Sequence, residues 1–185
     1  MCIRDSSGSA FSLAGNITMG SITSPVTINN NIVLSGTNLR QANPGGAGGI
    51  LTINGVISGS GGIYVNAPTS GIANLAGANT FTGAFQFNRT FTVSSLADSG
   101  SASSIGAGSR ILVGTSTPVL VYTGPTVSLN RQWEMGNAAP SVVNNGSGGM
   151  TWSNAAFNVP MTATAARTLI LAGTSAVTNE SQGVI

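Results

Sequence analysis

Carboxylates are the first place to look for chemistry in this chain, because enzymes that cut polysaccharides work with paired acids and nearby proton carriers. The sequence holds four acids, Asp5, Asp98, Glu134 and Glu180, no two of the last three close together. There is no His and no Lys, and the six arginines (Arg4, Arg40, Arg89, Arg110, Arg131, Arg167) stand singly. A catalytic pair would need the fold to bring Asp98 toward Glu134 or Arg131, with no His or Lys as proton shuttle. The plainer reading is that these are solvated turn residues.

Other chemistries fail at a specific residue. GGAGGILTI (45–53) has the glycines of a calcium-binding β-roll but places Ile50 where an Asp must supply oxygen. GSGG (59–62) and GAGS (106–109) lack the flanking pattern of a phosphate loop and read as turns. Serines are abundant, yet without His there is no Ser-His pair, and no GxSxG elbow occurs. Two TFT triplets (80–82 and 90–92) would have to stack to make a flat ice-binding rank, and they lie too close in sequence to occupy equivalent places on successive coils. Trp133 and Trp152 are expected in the core rather than as sugar platforms. N-x-S/T sequons start at Asn16, Asn88, Asn145 and Asn179, as the abundance of Asn, Ser and Thr would produce by chance. No catalytic, cofactor-binding or metal-binding residue is assigned, no cofactor is expected, and the chain reads as a non-enzyme.

The elements that would have to position such residues are announced by composition. Charged residues make up 5% of the chain, against about 25% in ordinary globular proteins, while Gly numbers 26 among many Ser, Thr and Asn. The polar surface is therefore made without ions. A nucleic-acid partner would need a basic stripe, and scattered arginines with a net charge of +2 draw none. The hydrophobic share of 41% arrives in regular short clusters, which predicts a buried core rather than disorder. The longest clusters, such as PVLVY (118–122), fall far short of the roughly 20 residues of a spanning helix, so no direct membrane span is expected.

Residues 1–6, MCIRDS, differ from the rest of the chain and hold the only Cys, Cys2. They resemble the leader produced when sequencing-adapter DNA is translated at the start of an assembled metagenomic reading frame. They are read as non-native, leaving 7–185 as one unit without thiol chemistry, disulfides or a Cys-based metal site.

Apolar residues in 7–185 alternate with polar ones over short runs bounded by Gly, Asn, Pro or Ser: VTI (26–28), IVL (32–34), ILTI (50–53), IYV (63–65), FQF (85–87), FTV (91–93), ILV (111–113), VLVY (119–122), MTW (150–152) and LILA (169–172). No stretch keeps a helical period for three turns, so the chain is all-β. Such short strands suit the sides of a solenoid coil better than a sandwich or barrel.

Repetition points the same way. GGAGGILTINGVIS (45–58) can be laid on NGSGGMTWSNAAFN (145–158), INNNIVLSG (28–36) on LNRQWEMGN (129–137), and the final Gly183-Val184-Ile185 repeats Gly55-Val56-Ile57. The expectation is a parallel β-solenoid with coils of roughly 20 to 25 residues and three strands each. About eight coils at the ~4.8 Å strand spacing would make a rod of about 40 Å. In-register stacking explains the missing charges, since like charges in a column repel whereas Thr, Ser and Asn form ladders. Gly and Asn are expected to supply left-handed backbone at the corners.

LAGANTFTGAFQFNRTFTV (75–93) resembles the passenger-associated transport repeat of bacterial autotransporters, the autotransporter-associated β-strand repeat, whose usual form is L-x-SGANTYTGGTTVNAGTLxV. Leu75, Gly77, Ala78, Asn79, Thr80, Thr82 and Gly83 match it, and Phe81 stands at the aromatic position. Downstream, Asn88, Thr90 and Val93 fit, while Phe85, Phe87 and Arg89 depart from the pattern. SSLADSGSASSIGAGSRILVG (94–114) is similar to the short linker of these proteins, and RTLILAGTSAVTNESQGVI (167–185) to another recurrent segment.

The resemblance implies a right-handed, single-stranded parallel β-helix, a fragment of a longer one, from a secreted passenger region. It further implies export across the outer membrane to the bacterial cell surface through a C-terminal barrel in the parent chain. The expected role is structural or adhesive: a stalk or scaffold whose coil stacking assists export, facing a host-cell or glycan surface whose receptor the sequence does not name. The alternative from another class is a carbohydrate-active β-helix, a polysaccharide lyase or tailspike-like glycosidase, with paired carboxylates in a groove. The motif carries no catalytic residues. In it Leu75 should face the core, Gly77 and Gly83 should turn corners, and Asn79 and Thr80 should sit at ladder positions between coils.

Overall fold

Alternating burial along each short strand sends apolar side chains to a common axis, and the chain winds about that axis as a parallel β-helix of about six turns. The computed structural model describes residues 9–20, 24–66, 71–114, 118–136, 139–152 and 168–176, and the backbone of 180–181. Every described element is a strand, and among the described residues no helix is long and apolar enough to cross a membrane. Residues 1–6 lie outside the described part, as does the repeat noted at 183–185.

The first coil supplies β1 (Phe11–Leu13), β2 (Ile17–Thr18) and β3 (Val26–Ile28). The second supplies β4 (Ile32–Leu34), β5 (Leu39–Asn43) and β6 (Ile50–Ile53), and the third β7 (Ile57–Gly59), β8 (Gly62–Val65) and β9 (Ile72–Leu75). Then come β10 (Phe85–Phe87) with β11 (Thr90–Val93), and β12 (Arg110–Val113) with β13 (Val119–Tyr122). The sixth coil has β14 (Val127–Leu129), β15 (Gln132–Met135) and β16 (Ser141–Asn144), followed by β17 (Met150–Trp152), β18 (Ile170–Ala172) and β19 (Glu180–Ser181).

These strands form three faces, with every strand pairing parallel to its counterpart one coil away. The second face is a six-stranded sheet (β2-β5-β8-β10-β12-β15), and the third is seven-stranded (β3-β6-β9-β11-β13-β16-β18). The first face is split into β1-β4-β7 and β14-β17-β19. Coil length runs from 18 residues (Ala73 to its partner Phe91) to 29 (Thr90 to Val119), longer in places than the sequence suggested, and fewer coils form than expected. All ten sequence-predicted strands are present within a residue.

Register makes columns. Inward, Ala42, Val65, Phe87, Val113 and Met135 stack on the second face, with Ile63, Phe85, Ile111 and Trp133 beside them, all buried. Each Val, Ile, Phe or Met side chain among them contributes roughly 1.5–3 kcal/mol of burial. Rings cluster where the columns meet: Phe87 and Phe91 lie 4.8 Å apart, and Trp133 meets Phe87 and Trp152 edge-on at 6.3 and 6.2 Å. Outward on the third face, Thr27, Thr52, Asn74 and Thr92 form one uncharged column, with Asn74 donating to Thr52 Oγ1 at 3.4 Å. None of the seven strands of that face contains a charged residue.

Two expectations need correction. Laying 45–58 on 145–158 pairs β6 of the third face with β17 of the first, and laying 28–36 on 129–137 pairs β4 of the first with β15 of the second. The spacing near 100 residues is thus a likeness between corners of different faces, since every corner is built from the same Gly, Asn and Ser. Asn does not supply left-handed backbone either: among the described residues positive φ occurs only at glycines, such as Gly36 (71°) and Gly106 (78°). Asparagines act through their side chains instead. Gly77 and Gly83 do stand at the bends on either side of 79–82, as expected, but without positive φ; what requires glycine there is close approach, since a Cβ would lie 2.5 Å from Gly55 O and 2.4 Å from Gly62 N of the coil below.

Candidate functional site

Where the first face loses its strands, residues 79–83 and 94–108 fill the gap between β7 and β14, and here the polar groups are most deeply buried. Thr80 N–H donates to Ile57 O at 2.8 Å and Thr82 N–H to Gly59 O at 3.0 Å, which lays LAGANTFTG on β7. Its side chains alternate as a strand's would, Leu75, Asn79 and Phe81 buried and Ala78, Thr80 and Thr82 exposed.

Asn79 is fully buried and spans three coils. Its Oδ1 accepts Ile57 N–H at 2.7 Å from the coil below, and its Nδ2 donates to Ser104 O at 2.8 Å above. Its backbone exchanges two hydrogen bonds with Ser103, at 2.9 and 3.1 Å, in an antiparallel bridge. The ladder role expected of Asn79 is therefore present, set inside the coil rather than on its surface. Thr80, the other candidate, is exposed and joins the stack through its backbone.

Arg131, between β14 and β15, is also fully buried, and backbone carbonyls surround its guanidinium. Nε donates to Ala97 O at 2.6 Å, one terminal nitrogen to Gly108 O at 2.5 Å, and the other to Gly106 O at 2.7 Å. The last nitrogen also reaches Asp98 O and Ser101 O at 3.3 Å and Ser103 Oγ at 3.4 Å. Burial lowers its pKa to about 10, opposed by the Asp98 charge, so the group is a cation at neutral pH. The sequence offers Arg131 only as a candidate partner for an acid; a lone Arg gives no signal that it will close a loop.

Among the described residues, the carboxylates of Asp98 and Glu134 do not converge on a common partner. Glu134 on β15 faces outward in a two-pronged ion pair with Arg110 of the neighbouring β12, at 2.5 and 2.6 Å. The hydrogen bond to Glu134 raises the Arg110 pKa, against desolvation. Asp98 is exposed and its Oδ1 accepts Asn130 N–H at 2.8 Å, while Asn130 Oδ1 accepts Ser99 N–H at 2.8 Å. The side chain of Glu180 lies outside the described residues. Among the described residues no three His, Cys, Asp or Glu side chains gather to hold a metal.

Other singled-out residues serve the stack. Trp133 and Trp152 are buried in the core, as expected. The TFT triplets fall on different faces and do not stack. At the sequons, Asn16 Oδ1 accepts Gln41 N–H, Asn88 Nδ2 donates to Tyr64 Oη at 2.7 Å, and Asn145 Oδ1 accepts Thr174 N–H, each between coils; Asn179 lies outside the described residues. Tyr64 stands in an outward column between Gln41 and Gln86, so at the ~4.8 Å strand spacing its ring faces are flanked rather than open to a sugar. A notch of about 120 Å³ lined by Asn74, Ala76, Thr92, Ser94 and Thr123 is shallow and uncharged.

The geometry defines the class: a parallel β-solenoid whose buried polar groups bind its own backbone from coil to coil. No family model, no curated protein and no solved structure matches the chain.

Proposed function

We propose that this chain is a structural segment of a secreted bacterial passenger region, a stalk or adhesive scaffold held at the cell surface. The observation that carries the reading is Asn79. Five of the residues through which 75–83 resembles the autotransporter repeat are ones whose side chain, or lack of one, the stack uses: Leu75 and Phe81 fill the core, Gly77 and Gly83 let backbones approach, and Asn79 joins three coils. A motif kept for stacking belongs in a rod, and a surface nearly free of charge suits in-register columns.

In this reading the chain is exported across the outer membrane, stacks coil on coil outside, and presents or spaces regions that contact a host-cell or glycan surface. Its partners within the parent are adjacent coils and a C-terminal barrel. The test is the parent reading frame. Further coils followed by a C-terminal outer-membrane barrel are expected; a parent whose flanking sequence builds a catalytic groove with paired carboxylates would overturn the proposal.

A further inference from the structure

We propose that Arg131 is a clasp that couples the 94–108 loop to the coil laid on it, so that the two open and close as one unit. The loop folds back so that carbonyls of Ala97, Asp98, Ser101, Gly106 and Gly108 converge on one point. Aligned carbonyl oxygens repel one another, and only a cation with several in-plane donors satisfies so many at once.

Within the loop, the tying bonds are short-range turns, Ser101 N–H to Asp98 O, Gly106 N–H to Ser103 O and Ser103 Oγ to Gly106 O, closed by Gly100 N–H to Ala107 O and by the paired backbone and hydroxyls of Ser95 and Ser104; none of them reaches the converging carbonyls of Ala97, Ser101 or Gly108. The tip, 98–102, is exposed. Anchorage comes from the neighbouring coils, through the Asn79–Ser103 bridge and Ala107 N–H to Phe81 O on one side, and Gln132 N–H to Ser109 O with Arg131 on the other. The cation is supplied by a residue C-terminal to the loop, so the loop closes only when the coil of β14 and β15 is laid on it. The consequence is a unit that opens locally while the more N-terminal coils stay stacked.

Amide hydrogen exchange on the full chain tests this, comparing wild type with Arg131→Met, which keeps the bulk and removes the charge. Exchange at Gly100, Ser103, Ala107 and Gln132 should rise about 100-fold, the scale set by losing hydrogen bonds from a charged donor to buried carbonyls. Exchange at Ile32 and Ile72 should change by less than about threefold, being outside the unit. Unchanged loop exchange, or a rise spread evenly over all coils, would overturn the clasp. If the variant does not fold, wild type in mild urea decides: one shared opening curve for Ser103, Ala107 and Gln132 supports the coupling, and separate curves refute it.

Discussion

The side-chain oxygen of Asn79 accepts the backbone N–H of Ile57 at 2.7 Å, tying residues 22 positions apart in adjacent coils, and its amide nitrogen donates to Ser104 O at 2.8 Å. Both partners are backbone groups held against a buried side chain, so truncating that side chain leaves them unsatisfied. Asn79→Ala should therefore cost about 2–4 kcal/mol, the scale of leaving two such groups without a partner. Thr80→Ala, one residue on and exposed, should stay within about 0.5 kcal/mol. Urea denaturation monitored by circular dichroism separates the two, and equal effects would count against the staple.

Gly83 gives a steric version of the same test. A methyl group there would lie 2.4 Å from Gly62 N and 2.5 Å from Gly61 C, on backbone that cannot yield without separating coils. Gly83→Ala should lose about 3 kcal/mol or fail to fold, in the upper range for overpacking. Gly46→Ala, with nothing within 4 Å, should be near neutral. Thermal melts of the two variants make the comparison.

The Arg110–Glu134 pair bears on chemistry. Arg110 is 51% exposed and Glu134 14%, so solvent and salt screen their attraction, and Glu134→Gln should change stability by no more than about 1 kcal/mol. The carboxylate's two oxygens already face Arg110. Incubating the chain with representative acidic and neutral polysaccharides should release no new reducing ends or unsaturated products, with Glu134→Gln identical to wild type. Turnover lost in that variant would revive the carbohydrate-active alternative.

Burial raises the phenols of Tyr64 and Tyr122, the only tyrosines, above their ordinary 10.0, with the Asn88 bond and the Arg89 charge opposing the shift at Tyr64. A phenol that holds its proton more tightly when folded contributes stability that is complete below pH 10 and lost as pH rises through the folded value. Ultraviolet titration should show tyrosinate appearing above pH 10 in the native chain and near pH 10 once unfolded. Superimposed curves would contradict the burial.

Much of the fold is legible in the sequence because alternation and burial speak the same language. ILTI, FQF, VLVY and MTW each carry enough β-branched or aromatic residues to declare a strand and its inward side. LRQAN, SVVN and QWEM are strands without that signal: they mix polar residues or amides into the outward positions or the ends and carry too few apolar ones to stand out. Coil phase is hidden because Gly-Gly pairs mark corners on every face alike, so Gly48-Gly49 and Gly148-Gly149 look equivalent while preceding strands of different sheets. The motif marks Asn79 as a ladder residue. Its burial, and the whole Arg131 cage, depend on which coil lies above and below, and no local pattern records that.

The central claim is that the chain's work is to stack, and surface display tests it most directly. The full chain, placed between a secretion signal and an outer-membrane barrel, is compared with Asn79→Ala and Gly83→Ala for the fraction reaching the cell surface in a protease-resistant state. The account predicts that the wild-type chain arrives resistant, and that both substitutions reduce that fraction together with stability. Equal display and equal resistance in all three, or a wild-type chain that never becomes resistant outside, would contradict it.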